Sequence, residues 1–335
     1  MKVSILGAGT WGMALARMLC NSGHTVSVWS ALPAEIDELN QTRKQKNLPE
    51  MIIPEAIIFT KDIRDACADK DILVFAVPSV FVRSTAKQAA PYIKEDQIIV
   101  DVAKGLEAET LMTMSEVIIS EIPHAKVVAL SGPTHAEEVA MDLPTTIVAA
   151  HEDITIAEQV QAVFSNPVMR VYTNTDIKGV ELCGALKNII ALATGVASGL
   201  GYGDNTKAAL ITRGLAEITR LGMAAGCMFE TFSGLAGMGD LIVTATSRHS
   251  RNNRCGFLIG QGYTPKEAVQ QVGMVVEGIN AIPAALTLAQ KYNVELPIIE
   301  AADQVINHGK DPAETVGELM GRDSKPELPK LALKR

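Results

Sequence analysis

The stretch VSILGAGTWGMALAR, residues 3–17, joins a short apolar strand to a helix-forming run through Gly7, Gly9 and Gly12. Each glycine has its own part in the strand–turn–helix that grips a dinucleotide pyrophosphate. Gly7 permits the tight turn, Gly9 lets the backbone approach the phosphates, and Gly12 lets the helix pack on the strand. The helix N-terminus adds free N–H groups and positive partial charge. Glycines also mark ordinary βαβ turns, so the flanks matter. Val3, Ile5 and Leu6 precede the turn, a helical run from Thr10 to Ser22 follows, and Gly23 stands where a C′ cap belongs. Lys2, the apolar run and Ala14-Leu15-Ala16 also imitate a secretory signal. The glycines break up its hydrophobic stretch and no strong basic region precedes it, so a cytoplasmic chain is expected.

Composition narrows the function classes. A chain of 335 residues, 47% apolar and 20% charged, is long enough for two globular cores. Its five cysteines (Cys20, Cys67, Cys183, Cys227 and Cys255) are scattered without CxxC spacing and read as reduced thiols. Six histidines include no HxH or HxxxH pair, which gives a metal site little support. The net charge of −8 and only 4% aromatic residues oppose nucleic-acid binding, while leaving room for a local basic pocket. The uncharged run after Lys187 is too short and too rich in glycine and polar residues to span a bilayer, so no integral membrane segment is expected.

Strands and helices alternate through the first half. Strand-like runs fall at Thr25–Trp29, Ile57–Phe59, Ile72–Val77, Ile98–Val102, Val127–Leu130, Thr145–Ala149 and Met169–Tyr172. Helical stretches at Val80–Ala90, Glu109–Ser120 and Ile154–Phe164 lie among them. That alternation predicts a mostly parallel sheet covered on both faces. Past about Asn174 the pattern turns wholly helical, with 3.6-period segments at Val180–Ala197, Thr206–Ala225, Pro265–Val272, Asn280–Tyr292 and Pro297–Asn307. The fold class is therefore α/β, a Rossmann-type mostly parallel sheet followed by an all-α C-terminal domain. We place a dinucleotide-binding domain at residues 1–176 and a substrate domain at 177–335. Gly321–Arg335, with two prolines and five basic residues, is expected to fray.

Ligands of open parallel sheets bind beyond the carboxyl ends of the strands. There the chain offers Gly7–Gly12, Pro78-Ser79, Lys104-Gly105-Leu106-Glu107 and Ser131-Gly132-Pro133-Thr134-His135, which suit a phosphorylated ligand, although Gly-Pro and Lys-Gly are also plain turn chemistry. In the helical half, GVELCGALKNIIALATGVA (residues 179–197) is apolar nearly all round apart from Glu181, Lys187 and Asn188. A buried lysine is either paired or lowered in pKa, and a lowered pKa makes it a base near neutrality. The segment Ser233–Gly256 begins with a flexible lead-in at Gly234, Gly237 and Gly239, followed by the carboxylate Asp240. Arg248, Arg251 and Arg254 then recur every third residue beside Ser247, Ser250, Asn252 and Asn253, the materials of a phosphomonoester site or of a solvated basic face.

The ordered set GAGTWG, AKGLE, SGPTHAEEV, GALKNIIALATG, GDNTKAALITRG and GMGDLIVTATSRHSRN resembles the NAD(P)-dependent glycerol-3-phosphate dehydrogenase family, from residue 3 to about residue 280. The resemblance implies reversible reduction of dihydroxyacetone phosphate to sn-glycerol 3-phosphate, a precursor of glycerophospholipids, by a homodimer. It puts Lys187 on the catalytic base. Lys104, Gly132, Thr134, Asp240, Ser250, Arg251 and Asn252 fall on substrate-binding positions. Thr10, Trp11, Lys104, Ala136, Arg251, Val275 and Glu277 fall on cofactor-binding positions, beside the three glycines. Another dehydrogenase of similar layout, or a non-catalytic nucleotide sensor, would lack these helical-half motifs. The cofactor is NADH or NADPH. Readers of NAD carry an acid at the end of the second strand, where this chain has Trp29-Ser30-Ala31 and no acid until Glu35, which tilts the expectation toward NADPH.

Overall fold

The computed structural model describes residues 1–324 and 327. The strands are β1 (Lys2–Leu6), β2 (Thr25–Trp29), β3 (Ile58–Thr60), β4 (Ile72–Phe75), β5 (Ile98–Asp101), β6 (Lys126–Ser131), β7 (Thr145–Ala150) and β8 (Met169–Asn174). Between them run α1 (Thr10–Asn21), α2 (Pro33–Thr42), α3 (Ile63–Cys67), α4 (Val82–Ala89), α5 (Met114–Glu121), α6 (Ala136–Ala140) and α7 (Ile154–Phe164). The second half holds α8 (Ile177–Gly199), α9 (Asp204–Ala224), α10 (Phe229–Ser233), α11 (Asp240–Thr246), α12 (Arg251–Gly260), α13 (Pro265–Val272), α14 (Glu277–Tyr292), α15 (Pro297–Asn307) and α16 (Pro312–Met320). Most of the tail expected to fray lies outside the described residues.

The sheet order is β3-β2-β1-β4-β5-β6-β7-β8, parallel except where β7 runs against β6. The chain reverses its direction of travel between β1 and β4, so the crevice that takes ligands in such sheets opens there. Leu6, Trp29, Phe75 and Asp101 stand in register at the carboxyl edge, and the loops after them leave side by side. Apolar side chains fill both faces: Val3, Ile5, Leu15 and Val28 belong to one core, and Leu73, Phe75, Ile99 and Ile118 to the other. A separate core around α8 joins Leu186, Ile190, Leu221 and Ile282. Among the described residues α8 alone is long and apolar enough to cross a membrane, and 94% of its apolar window is buried within the protein.

Several element bounds differ from the sequence reading for identifiable reasons. The helix expected from Glu109 begins at Met114, because Thr113 and Glu116 form a capping box that fixes the start. The helix expected from Val80 starts at Val82, after a 3₁₀ turn over Ser79–Phe81. The helix expected from Asn280 starts at Glu277. The glycines before Asp240 are not a flexible lead-in: Leu235–Gly239 is a π turn, where a Cβ on Gly237 would lie 2.2 Å from the Phe232 carbonyl oxygen.

Candidate active site

The glycine turn has the geometry its sequence demands. Gly7 has φ +129°, and a Cβ there would stand 2.6 Å from the Ala76 carbonyl oxygen. At Gly12 a Cβ would lie 2.1 Å from the Gly7 carbonyl oxygen, so this glycine sets the close approach of α1 to β1. Gly9 is different, since nothing lies within 4 Å of its Cβ position. That open space, above a helix start with no side-chain cap, is a cradle for a pyrophosphate, so the residues present fit a dinucleotide. Thr10 opens α1, Trp11 packs partly buried on the sheet core, and Ala136 opens α6 beside it.

Helix α8 carries Glu181, Lys187, Asn188 and Thr194 into the interior, and each one is bound. Glu181 accepts from the Ser115 amide at 2.7 Å and its hydroxyl at 2.5 Å, tying α8 to the start of α5. Burial pushes the Glu181 carboxyl up to about 7 despite those donors. Lys187 is 5% exposed and donates to Asp240 Oδ1 at 2.5 Å and Thr244 Oγ1 at 2.6 Å. The other oxygen of Asp240 accepts from Lys104 Nζ at 2.7 Å, and Lys104 also reaches the Gly132 carbonyl oxygen at 2.9 Å. Thr134 donates to that same oxygen. The Rossmann loops and the helical half thus meet on one carboxylate.

Electrostatics follow from that packing. Burial pulls the Lys187 ammonium down to about 7; Asp240 opposes the shift and Lys104 adds to it. Burial alone would raise Asp240, but the two lysines outweigh it and hold the carboxyl below its ordinary range. The result is an amine whose proton can move near neutrality, oriented by a carboxylate that stays charged.

The segment expected to bind phosphate is divided by the fold. Ser250 caps α12 and Arg251 is its first residue, whereas Arg248 and Arg254 are exposed and do not share the site. Helix α12 lies against α8 at backbone contact: a Cβ at Gly256 would be 2.0 Å from the Leu192 carbonyl oxygen, and one at Gly195 would be 2.2 Å from that of Asn253. This packing sets the free N–H groups of α12 beside Asn188, one residue from Lys187. The Asn252 side chain is braced on both polar atoms. Its amide donates to Asn188 Oδ1 at 2.9 Å and its oxygen accepts from the Gly278 amide at 2.8 Å, while Asn188 donates to the Lys104 carbonyl oxygen at 3.3 Å. Arg251 donates to the Val275 carbonyl oxygen at 3.2 Å. Glu277 accepts from the Ser79 amide at 3.0 Å and hydroxyl at 2.5 Å, which joins α14 to the loop after β4.

Sequence reasoning missed Thr244, and it named Asn188 and Ser79 without giving them these partners. Thr244 had a signal, since it lies one helical turn beyond Asp240 on the same face. Glu35 lies nearer to β2 than its place in the sequence suggests. Helix α2, absent from the sequence reading, folds its first turn back so that Glu35 Oε2 accepts from Ser30 Oγ at 2.6 Å. The Glu35 carboxylate therefore reaches the residue that directly follows β2.

Comparison with known proteins bears on the same two halves. The profile of the NAD-dependent glycerol-3-phosphate dehydrogenase N-terminus matches residues 2–157, and that of its C-terminus matches residues 176–317. A glycerol-3-phosphate dehydrogenase (NAD(P)+) 2 of Lactobacillus delbrueckii subsp. bulgaricus is 66% identical, over 98% of this chain and 99% of that protein. A glycerol-3-phosphate dehydrogenase (NAD(P)+) of Agathobacter rectalis is 56% identical over 97% of each. The crystal structure of the glycerol-3-phosphate dehydrogenase of Coxiella burnetii superposes with a TM-score of 0.91 at 36% identity, covering 96% of this chain and 99% of that one. With both halves matched in order and relatives of this identity along its whole length, the chain belongs to the NAD-dependent glycerol-3-phosphate dehydrogenase family.

Proposed function

We propose that the chain interconverts dihydroxyacetone phosphate and sn-glycerol 3-phosphate, with Lys187 as general acid and base, and so supplies glycerophospholipid synthesis. The observation that carries this reading is the Lys187–Asp240–Lys104 cluster, set where the loop after β5 meets α8 and α11. A nicotinamide bound in the crevice would supply the hydride donor or acceptor. The protein's own share is positioning and proton transfer. Lys187 gives its proton to the ketone oxygen in reduction and takes it back in oxidation, while Asp240 aims it. Lys104, fixed by Asp240 and Gly132, holds the substrate oxygens with Thr134. Arg251 and the free amides at the start of α12, which Ser250 caps and Asn252 braces, hold the phosphate and thereby place C2. Gly7, Gly9, Thr10, Trp11, Gly12 and Ala136 line the dinucleotide, with Lys104, Arg251, Val275 and Glu277 closing the crevice over it. We place this activity in the cytoplasm. Met228, Phe229, Met238 and Ile242 are exposed on the helical half and support a homodimer, which sedimentation will test.

The direct test is loss of NADH or NADPH absorbance on adding dihydroxyacetone phosphate; no turnover with either would remove the proposal. The pH profile has a definite sign. Reduction uses the ammonium form of Lys187, so its kcat should fall as pH rises through about 7, and oxidation should rise over the same range. Flat profiles in both directions would show that Lys187 does not transfer the proton. Arg251→Ala should raise KM for dihydroxyacetone phosphate by about a hundredfold, the scale of a lost charge-assisted contact, and change a phosphate-free ketone little. Equal losses on both substrates would take the phosphate away from Arg251.

A further inference from the structure

The strand end ahead of Lys104 carries a buried acid that takes no part in the proton transfer. Asp101 is the last residue of β5 and is 1% exposed. Its Oδ1 accepts from the Ala103 amide at 3.1 Å, closing a turn over the residues that lead to Lys104. Its Oδ2 meets no donor among the described residues, so that turn is where the side chain makes its polar contact. Burial first, and the nearby Glu181 second, push the Asp101 carboxyl well above the usual carboxylate range, against the pull of the Ala103 amide. The group can therefore stay neutral in the interior while one oxygen still accepts.

The chain is gripped on both sides of the lysine. Downstream, a Cβ at Gly105 would lie 2.3 Å from Ser79 Cβ, so the backbone leaves Lys104 against the loop after β4. From α8, Asn188 donates to the Lys104 carbonyl oxygen at 3.3 Å, and a Cβ at Gly184 would stand 3.5 Å from Lys104 Cγ. With its backbone held this way, Lys104 Nζ lies 2.7 Å from Asp240 Oδ2 and 2.9 Å from the Gly132 carbonyl oxygen. Asp240 on α11, Lys104 after β5 and His135 after β6 are the titratable groups that face Lys187 among the described residues. Of these three, Lys104 rides on the turn that Asp101 closes.

We infer that Asp101 is a positioning residue, which sets Lys104 through the Ala103 amide against Asp240 and the Gly132 carbonyl oxygen. The inference rests on the reading of Lys187 as proton carrier and of Lys104 as holder of the substrate oxygens, and it adds the residue that aims Lys104. Loosening the turn has two consequences. Lys104 is less often in place for the substrate. It also adds less to the lowering of the Lys187 ammonium and leaves Asp240 to Lys187 alone, so Lys187 keeps its proton to higher pH.

Steady-state reduction of dihydroxyacetone phosphate by the full chain, followed across neutral pH beside thermal melting, tests this with three variants. Asp101→Ala should raise KM for dihydroxyacetone phosphate by about tenfold, the scale of one hydrogen bond. It should also move the midpoint of the falling kcat limb upward by about half a pH unit. Asp101→Asn should rescue both readouts, because the amide is uncharged, has the same shape and keeps an oxygen for the Ala103 amide. Asp101→Ser closes such a turn more weakly and should fall between them, which gives a second measure should the alanine variant fold poorly. A lower melting temperature with KM and midpoint unmoved would show a structural role alone and overturn the inference. An asparagine variant as impaired as the alanine one would overturn it too. A wild-type profile flat in both directions would instead remove the proton-transfer reading of Lys187, and the order of KM among the three variants would then decide whether Asp101 sets Lys104.

Discussion

Lys187→Met should lower kcat for ketone reduction by about a thousandfold, within the usual range for loss of a general acid, and leave nucleotide binding nearly unchanged. Methionine keeps the length of the side chain and suits an apolar helix, so α8 should still pack. Asp240 is not stranded, because Lys104 remains 2.7 Å away on its other oxygen. What disappears is the amine that burial lowers to about 7, the proton carrier of the proposed reaction. Lys187→Arg should not restore activity, since a guanidinium holds its proton at every working pH and its planar fork does not fit a site built for a point charge. Nucleotide titration alongside steady-state kinetics separates the outcomes. A Lys187→Met variant with kcat within about threefold of wild type would make the lysine a structural ion pair, which is the common use of a buried charge of this kind.

That lysine also shows what could be read from residues alone. Segment 179–197 has so little polar surface that a buried α8 follows, and with it polar side chains needing partners. How those partners meet was not legible. Asp240 lies 53 positions from Lys187 and 136 from Lys104, and only the packing of α11 and of the loop after β5 brings both amines to it. The glycine turn was legible because each glycine answers a local constraint. The Thr113–Glu116 capping box was equally local, yet the expected helix began at Glu109, one turn too early. The Ser30–Glu35 contact was not legible for a topological reason. Distance along the chain from β2 is a poor guide to an acid's place when a helix of ten residues turns its first coil back onto the strand end. The Asn188–Asn252–Gly278 chain is of the same kind: each amide looks like an ordinary polar residue until two helices meet at backbone distance.

Asp240→Asn is expected to destabilise the fold by about 3–5 kcal/mol, the usual consequence of breaking a buried ion pair on one side. The carboxylate is 1% exposed and answers two ammonium groups at once. Without its charge, Lys104 can turn toward solvent through its partly exposed side chain, but Lys187 cannot and must give up its proton to stay buried. The pH dependence has a sign that identifies the cause. Asp240 is held below the ordinary carboxylate range, so its stabilisation is complete above that range and is lost as pH falls through the lowered value. The asparagine variant lacks that loss. Its deficit should therefore widen as pH falls below about 7, where the folded variant resists the proton that Lys187 takes up in the unfolded chain, and narrow only once the wild-type Asp240 is itself protonated, as measured by denaturant unfolding of both proteins across that range. Activity should fall as well, because the amide no longer aims the amine and Lys187 loses the partner that opposes its deprotonation. A deficit below about 1 kcal/mol, the size of a surface ion pair, would mean that the three groups are solvated in solution. The crevice would then have no dry, oriented amine with which to move a proton.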